Sequence, residues 1–184
     1  MNTYIISLLE ELGAIAIIIA GFTFLKDIAT GIGSKKQLDF HNKFENRSIG
    51  KVLITTFICI IVIGVIGKLR GEMWLSLLII GIASLIMFFV KGVNDVLSVR
   101  YLQNFTNEKI LTKIYSINSF SRNFCRIIIS FVGSYFLRIT NTANSILLIG
   151  CLFGVVTFVL INYMKTRVGL KPEEYDEKDI KFEG

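Results

Sequence analysis

Charge is what this chain has least of. Only 18% of its 184 residues are Asp, Glu, Lys or Arg, against 53% hydrophobic. A soluble domain carries about a quarter charged residues. The deficit excludes disorder and argues against an ordinary water-soluble fold. Proline occurs once, which excludes a loop-rich or all-β design. Three cysteines are too few, and odd in number, for a disulfide framework. One histidine and no Cys-x-x-Cys pair exclude the common zinc patterns. No His-Glu-x-x-His, no Gly-x-Ser-x-Gly and no phosphate-binding loop is present, so the sequence reads as no enzyme, with no cofactor.

What is there is a series of long apolar runs. Leu12–Leu25, Val52–Gly67, Met73–Val90 and Ile139–Met164 carry no charge, and Ile127–Leu137 extends upstream with only Arg122 and Arg126 intervening. About 20 helical residues cross the roughly 30 Å of bilayer hydrocarbon. Membrane strands alternate apolar and polar residues, whereas Leu77-Leu78-Ile79-Ile80 does not. Backbone groups in lipid must be satisfied within the segment, so such runs become helices. The expected fold is an all-α polytopic membrane protein. Its five spanning helices fall at about 11–33, 51–69, 73–97, 116–138 and 143–164. Residues 1–164 form the transmembrane domain and 165–184 a polar cytoplasmic tail, in which Pro172 blocks helix continuation.

Basic residues set the expected orientation. With these five spans, seventeen of the 20 Lys and Arg fall on one side and three on the other. The positive-inside rule puts the seventeen in the cytoplasm, with the N-terminus outside and the C-terminus inside the cell membrane. The net charge of +6 then answers to anionic lipid headgroups and calls for no nucleic acid. Residues 1–11 lack the basic flank of a secretory signal.

Ionisable residues inside the spans are the candidate functional groups, because a charge facing lipid costs several kcal/mol. Lys26 and Asp27 read either as a cavity-lining pair that handles a proton or an anionic group, or as interfacial residues with Lys26 snorkelling. Lys91 and Asp95 stack at i, i+4, as do Arg122 and Arg126. Ser119, Asn123, Ser130 and Ser134 extend the arginines into a polar stripe, which faces protein or water. The arginines suit an anionic small-molecule substrate, and the same four residues suit a gate or structural ion pairs near the membrane surface. Gly150 and Gly154 form a small-xxx-small step for helix packing. Glu10 and Glu11 read as the N-terminal turn of the first span, where the helix dipole favours carboxylates. His41 reads as a surface residue of a polar loop. Cys59, Cys125 and Cys151 read as small apolar residues on separate helices. Asn107–Ser116 reads as a short amphipathic helix in the interface.

Four stretches carry a family resemblance. Arg100-Tyr101-Leu102-Gln103-Asn104-Phe105-Thr106-Asn107-Glu108-Lys109-Ile110-Leu111-Thr112-Lys113-Ile114-Tyr115 resembles the loop between the tenth and eleventh helices of bacterial major facilitator superfamily transporters. Gly133-Ser134-Tyr135-Phe136-Leu137-Arg138-Ile139-Thr140-Asn141-Thr142-Ala143-Asn144 resembles the turn between the last two. Tyr163–Tyr175 is similar to the tail of clostridial-type members, and Gly31–Lys36 sits where the superfamily has its eighth-to-ninth loop. The resemblance implies helices eight to twelve of a twelve-helix fold, the C-terminal part of a secondary transporter moving a small solute by alternating access. The implied partner is the missing N-terminal transporter half or another helical chain. It also implies that the second and fifth helices are peripheral and the others line the cavity. No charge lies between Val52 and Gly67 or between Ile139 and Met164 in those two, whereas the other three each carry ionisable residues inside. A second reading is a small non-transporting integral membrane protein, a structural or partner-binding module assembling through Gly150 and Gly154.

Overall fold

The computed structural model describes residues 2–44, 47–69, 71–105 and 108–167. They form seven helices: α1 (Asn2–Glu11), α2 (Ala16–Lys35), α3 (Gln37–Phe44), α4 (Ser48–Leu69), α5 (Met73–Phe105), α6 (Glu108–Ile139) and α7 (Thr142–Arg167). No strand occurs among the described residues. Of the expected tail, 168–184 lie outside them.

Among the described residues, four helices are long and apolar enough to cross a bilayer: Ala16–Lys35, Ser48–Leu69, Met73–Arg100 and Thr142–Tyr163. The chain is therefore an all-α, membrane-embedded protein. The expected fifth span, 116–138, lies inside α6, which is not one of the four. Its polar stripe and its Lys113, Arg122, Arg126 and Arg138 lower its hydropathy below that of the others. The short interfacial helix expected at Asn107–Ser116 is not separate either. From Glu108 it is continuous with α6, and Asn107 lies outside the described residues.

The first span also begins later than expected, and the reason is a glycine. The Gly13 amide donates to the Glu10 carbonyl at 2.9 Å and the Ala14 amide to the Leu9 carbonyl at 2.9 Å. This pair of bonds is the Schellman ending, and it needs a left-handed residue, which Gly13 supplies at φ 88. The chain thus stops α1 at Glu11 and restarts at Ala16. Glu10 and Glu11 sit at the C-terminal end of α1, not at the N-terminus of a span, so the helix dipole does not favour them there. Glu11 instead accepts a hydrogen bond from the Thr142 hydroxyl at the start of α7.

In space, α5 lies between α2 and α4, and α7 packs on α4. The core is where these meet α1. Ile5 and Leu8 of α1, Ile63 of α4, Ile80 of α5 and Ile146 of α7 are all at most 1% exposed. The spacing Ile5, Leu8, Leu9 places one apolar face of α1 inward, so this short helix caps one end of the bundle. A second cluster, Val52, Val90, Val93 and Leu97, takes Phe40 from α3. Gln37 and His41, spaced i, i+4, are buried on α3. His41 is therefore a packed residue of a helix, not an exposed one of a loop.

The closest approach is between α2 and α5. A Cβ added at Gly33 would lie 2.9 Å from the Phe89 carbonyl carbon, and one at Gly92 would lie 2.9 Å from that of Thr30. The two backbones touch, and the Ser34 hydroxyl donates to the Gly92 carbonyl at 3.2 Å. Without a hydrophobic driving force in lipid, such backbone contact is what holds helices together.

Candidate functional site

The ionisable residues of the spans fall into three groups. The first is an ion network. Lys91 Nζ lies 2.6 Å from Asp95 Oδ2, and Arg122 Nη2 lies 3.6 Å from Asp95 Oδ1. One carboxylate thus joins two cations and ties α5 to α6. All three side chains are half-exposed, at 51%, 42% and 39%. At about 1.5 Å per residue, Lys91 is about 27 Å and Asp95 about 33 Å along α5 from Met73. In a core of roughly 30 Å, this places the network at the membrane boundary.

The second group is Lys26 and Asp27. Lys26 is about 15 Å along α2 from Ala16, near mid-span. Its side chain is 13% exposed, and Nζ lies 3.3 Å from Asp27 Oδ1 and 5.5 Å from the centre of the Phe88 ring. The sequence pattern predicts the pair but not Phe88, because a cation–π contact between helices leaves no periodic signal. Asp27, by contrast, is 71% exposed beyond its contact with Lys26. A carboxylate so placed needs water or a partner beside it.

The third group is the stripe on α6. Arg126 donates to the Asn123 side-chain oxygen at 3.5 Å, and no ion pair is formed by Arg126 among the described residues. Arg126 lies about 20 Å along α6 from Ile139, so a spanning α6 would hold it well inside the bilayer. An open depression of ≈ 410 Å³ is lined by Arg126, Ile127, Ser130, Phe131 and Ser134. Every residue from Asn123 to Phe131 is exposed. Among the described residues, nothing covers any face of these turns. α6 is held on either side of these turns, at Arg122 by Asp95 and at Gly133, where a Cβ would lie 2.8 Å from Tyr4 Cζ.

The predicted site residues therefore divide. The structure brings Lys91, Asp95 and Arg122 into one network and pairs Lys26 with Asp27. Arg126 stays apart from both pairings. Gly150 faces Ile60 and Ile61 and Gly154 faces Phe57, all on α4, so the small-xxx-small step is occupied within the chain. Cys59 is buried, and Cys125 and Cys151 are exposed. Among the described residues, no three of His, Cys, Asp and Glu gather as a metal site. No protein-family model, curated protein or solved structure matches this chain.

Proposed function

We propose that this chain forms part of a secondary active transporter, resembling the C-terminal part of the major facilitator fold, and that α6 is its fifth spanning helix. The observation that carries the reading is the uncovered stripe of α6. A helix with Ser119, Asn123, Arg126, Ser130 and Ser134 along one side cannot turn that side to lipid. It turns it to a water-filled path or to further helices, and a transporter has both. Asp27 is a second mid-span ionisable group left uncovered. In this reading Arg126 and the Lys26–Asp27 pair face the solute, and an anionic solute suits the guanidinium. Lys91, Asp95 and Arg122 act as a gate at the boundary, since an ion network between two helices can open and close as they move. The basic residues place this gate and the C-terminus on the cytoplasmic side of the cell membrane. Further helices, from a preceding segment or another chain, cover the rest of the path.

Cysteine accessibility tests the path. Single cysteines are placed at Asn123, Ser130 and Ser134, and at Phe124, Ile128 and Tyr135, in a chain whose own three cysteines are replaced by Ala. In native membranes a charged, membrane-impermeant thiol reagent should modify the first set and spare the second. Equal reactivity of the two sets would refute a water-lined stripe. In a transporting assembly Arg126→Ala should abolish uptake while membrane insertion persists.

A further inference from the structure

We propose that Lys43 and Lys51, which converge on the Phe44 ring, together with neighbouring Arg47 bind the headgroup of an anionic phospholipid where α4 enters the membrane. Lys43 Nζ lies 5.7 Å and Lys51 Nζ 5.9 Å from the centre of the Phe44 ring. Two ammonium groups thus converge on one aromatic side chain, and the guanidinium of Arg47 lies between them in sequence. All three cationic residues are exposed. Among the described residues none of them has a carboxylate within ion-pair distance, whereas neighbouring Lys36 has Asp39 at 3.9 Å. The ring's negative face attracts each cation but cancels none of their mutual repulsion. An anion would.

Placement says which anion. Val52, the next residue after Lys51, is 3% exposed and opens the uncharged run of α4 to Gly67. The cluster therefore lies at the polar end of a membrane helix, the level of the lipid phosphates. The first turn of α4 adds the positive end of its dipole on the same side. α3 holds Lys43 and Phe44 in place. It is fastened to the bundle by buried Gln37 and His41 and by Phe40 against Val52, Val90, Val93 and Leu97. A phosphodiester among these cations would offset one of their three positive charges and relieve their repulsion while its acyl chains lie along α4. The inference needs only α4 as a span and is independent of transport.

The test uses the full chain in an uncharged detergent. It is titrated with phosphatidylglycerol, phosphatidylcholine or free glycerol phosphate, and bound lipid is counted by native mass spectrometry. Phosphatidylglycerol should bind at least roughly tenfold more tightly than phosphatidylcholine. The double variant Lys43→Gln/Lys51→Gln should weaken it roughly thirtyfold, and Arg47→Gln alone about fivefold. Lys68→Gln/Lys113→Gln removes the same charge elsewhere and should change binding less than about twofold. Equal loss in the two double variants, or equal binding of the two lipids, would overturn the site. So would glycerol phosphate binding as tightly as the lipid, which would make a free anion the ligand. Far-UV circular dichroism confirms that each variant keeps its helices.

Discussion

Replacing Gly92 with Ala adds one methyl group to α5 at the point where α2 presses on it. That methyl would lie 2.9 Å from the Thr30 carbonyl carbon and 3.0 Å from the Ser34 amide nitrogen. Both are backbone atoms of a regular helix and cannot rotate aside, so the helices must separate along the contact. Overpacking of this kind costs about 1–3 kcal/mol, and a rigid neighbour places it at the upper end, about 3. Ala itself favours the helix over Gly by about 0.8 kcal/mol. The net loss is about 2 kcal/mol, roughly thirtyfold in the folding equilibrium. Gly33→Ala should behave alike, because its neighbour is the Phe89 backbone. Gly81 and Gly31 lie on the same two helices with nothing within 4 Å of an added Cβ. Gly81→Ala and Gly31→Ala should therefore gain the propensity term alone, about 0.8 kcal/mol. Gly150→Ala falls between, since the atoms 2.9 and 3.0 Å away are methyl ends of Ile60 and Ile61, which can shift. Unfolding in mixed micelles titrated with sodium dodecyl sulfate, followed by far-UV circular dichroism, measures all five. If Gly92→Ala and Gly81→Ala have the same stability, the α2–α5 backbone contact does not hold the bundle.

Other expectations follow from the ion pairs and the cysteines. A double-mutant cycle with Asp95→Asn and Arg122→Gln should give a coupling of about 0.5–1 kcal/mol, as the half-exposed 3.6 Å pair is screened; a coupling above about 3 kcal/mol would place it in a dry interior. Asp27→Asn leaves the nearly buried Lys26 ammonium without its 3.3 Å partner. It should destabilise the bundle more than Lys26→Met/Asp27→Asn does in the same titration, and the reverse order would show that Lys26 carries no unpaired charge cost. In detergent, N-ethylmaleimide should label Cys125 and Cys151 well before Cys59, which lies buried on α4 at 6% exposure; labelling of Cys59 at an equal rate, read by mass spectrometry, would mean that the α4 contacts open freely.

The four apolar spans were legible because each needs only a run of uncharged residues, a local property that any window along the chain reveals. The Lys91–Asp95 pair was legible for a similar reason, since i, i+4 spacing on one helix is a matter of helical pitch. Arg122 could be picked out as an intramembrane charge, but not assigned to Asp95, because that choice depends on how α5 and α6 lie side by side. The start of α2 was missed although its signal was present. Gly13 follows Glu10 and Glu11, and a glycine after polar residues is a helix stop as readily as part of an apolar run. His41 was misplaced because α3 is short and polar overall, and only contact with its neighbouring helices makes His41 and Gln37 interior.

Composition and periodicity alone settle that this is a helical membrane protein, and they mark the few residues whose charge the bilayer does not tolerate unaided. These follow from one-dimensional facts: the length of an apolar run against the thickness of hydrocarbon, and the pitch of a helix. Which glycines matter follows only from tertiary structure. At Gly33 and Gly92 an added Cβ meets the backbone of the facing helix and at Gly31 and Gly81 it meets nothing, a distinction made by which backbone lies within reach. The same is true of the charges: Asp95 gathers two cations, Phe44 gathers two more, and Arg126 is left facing outward. Packing decides this, because in lipid the energy of a polar or close contact depends on the neighbouring helix that supplies its other half.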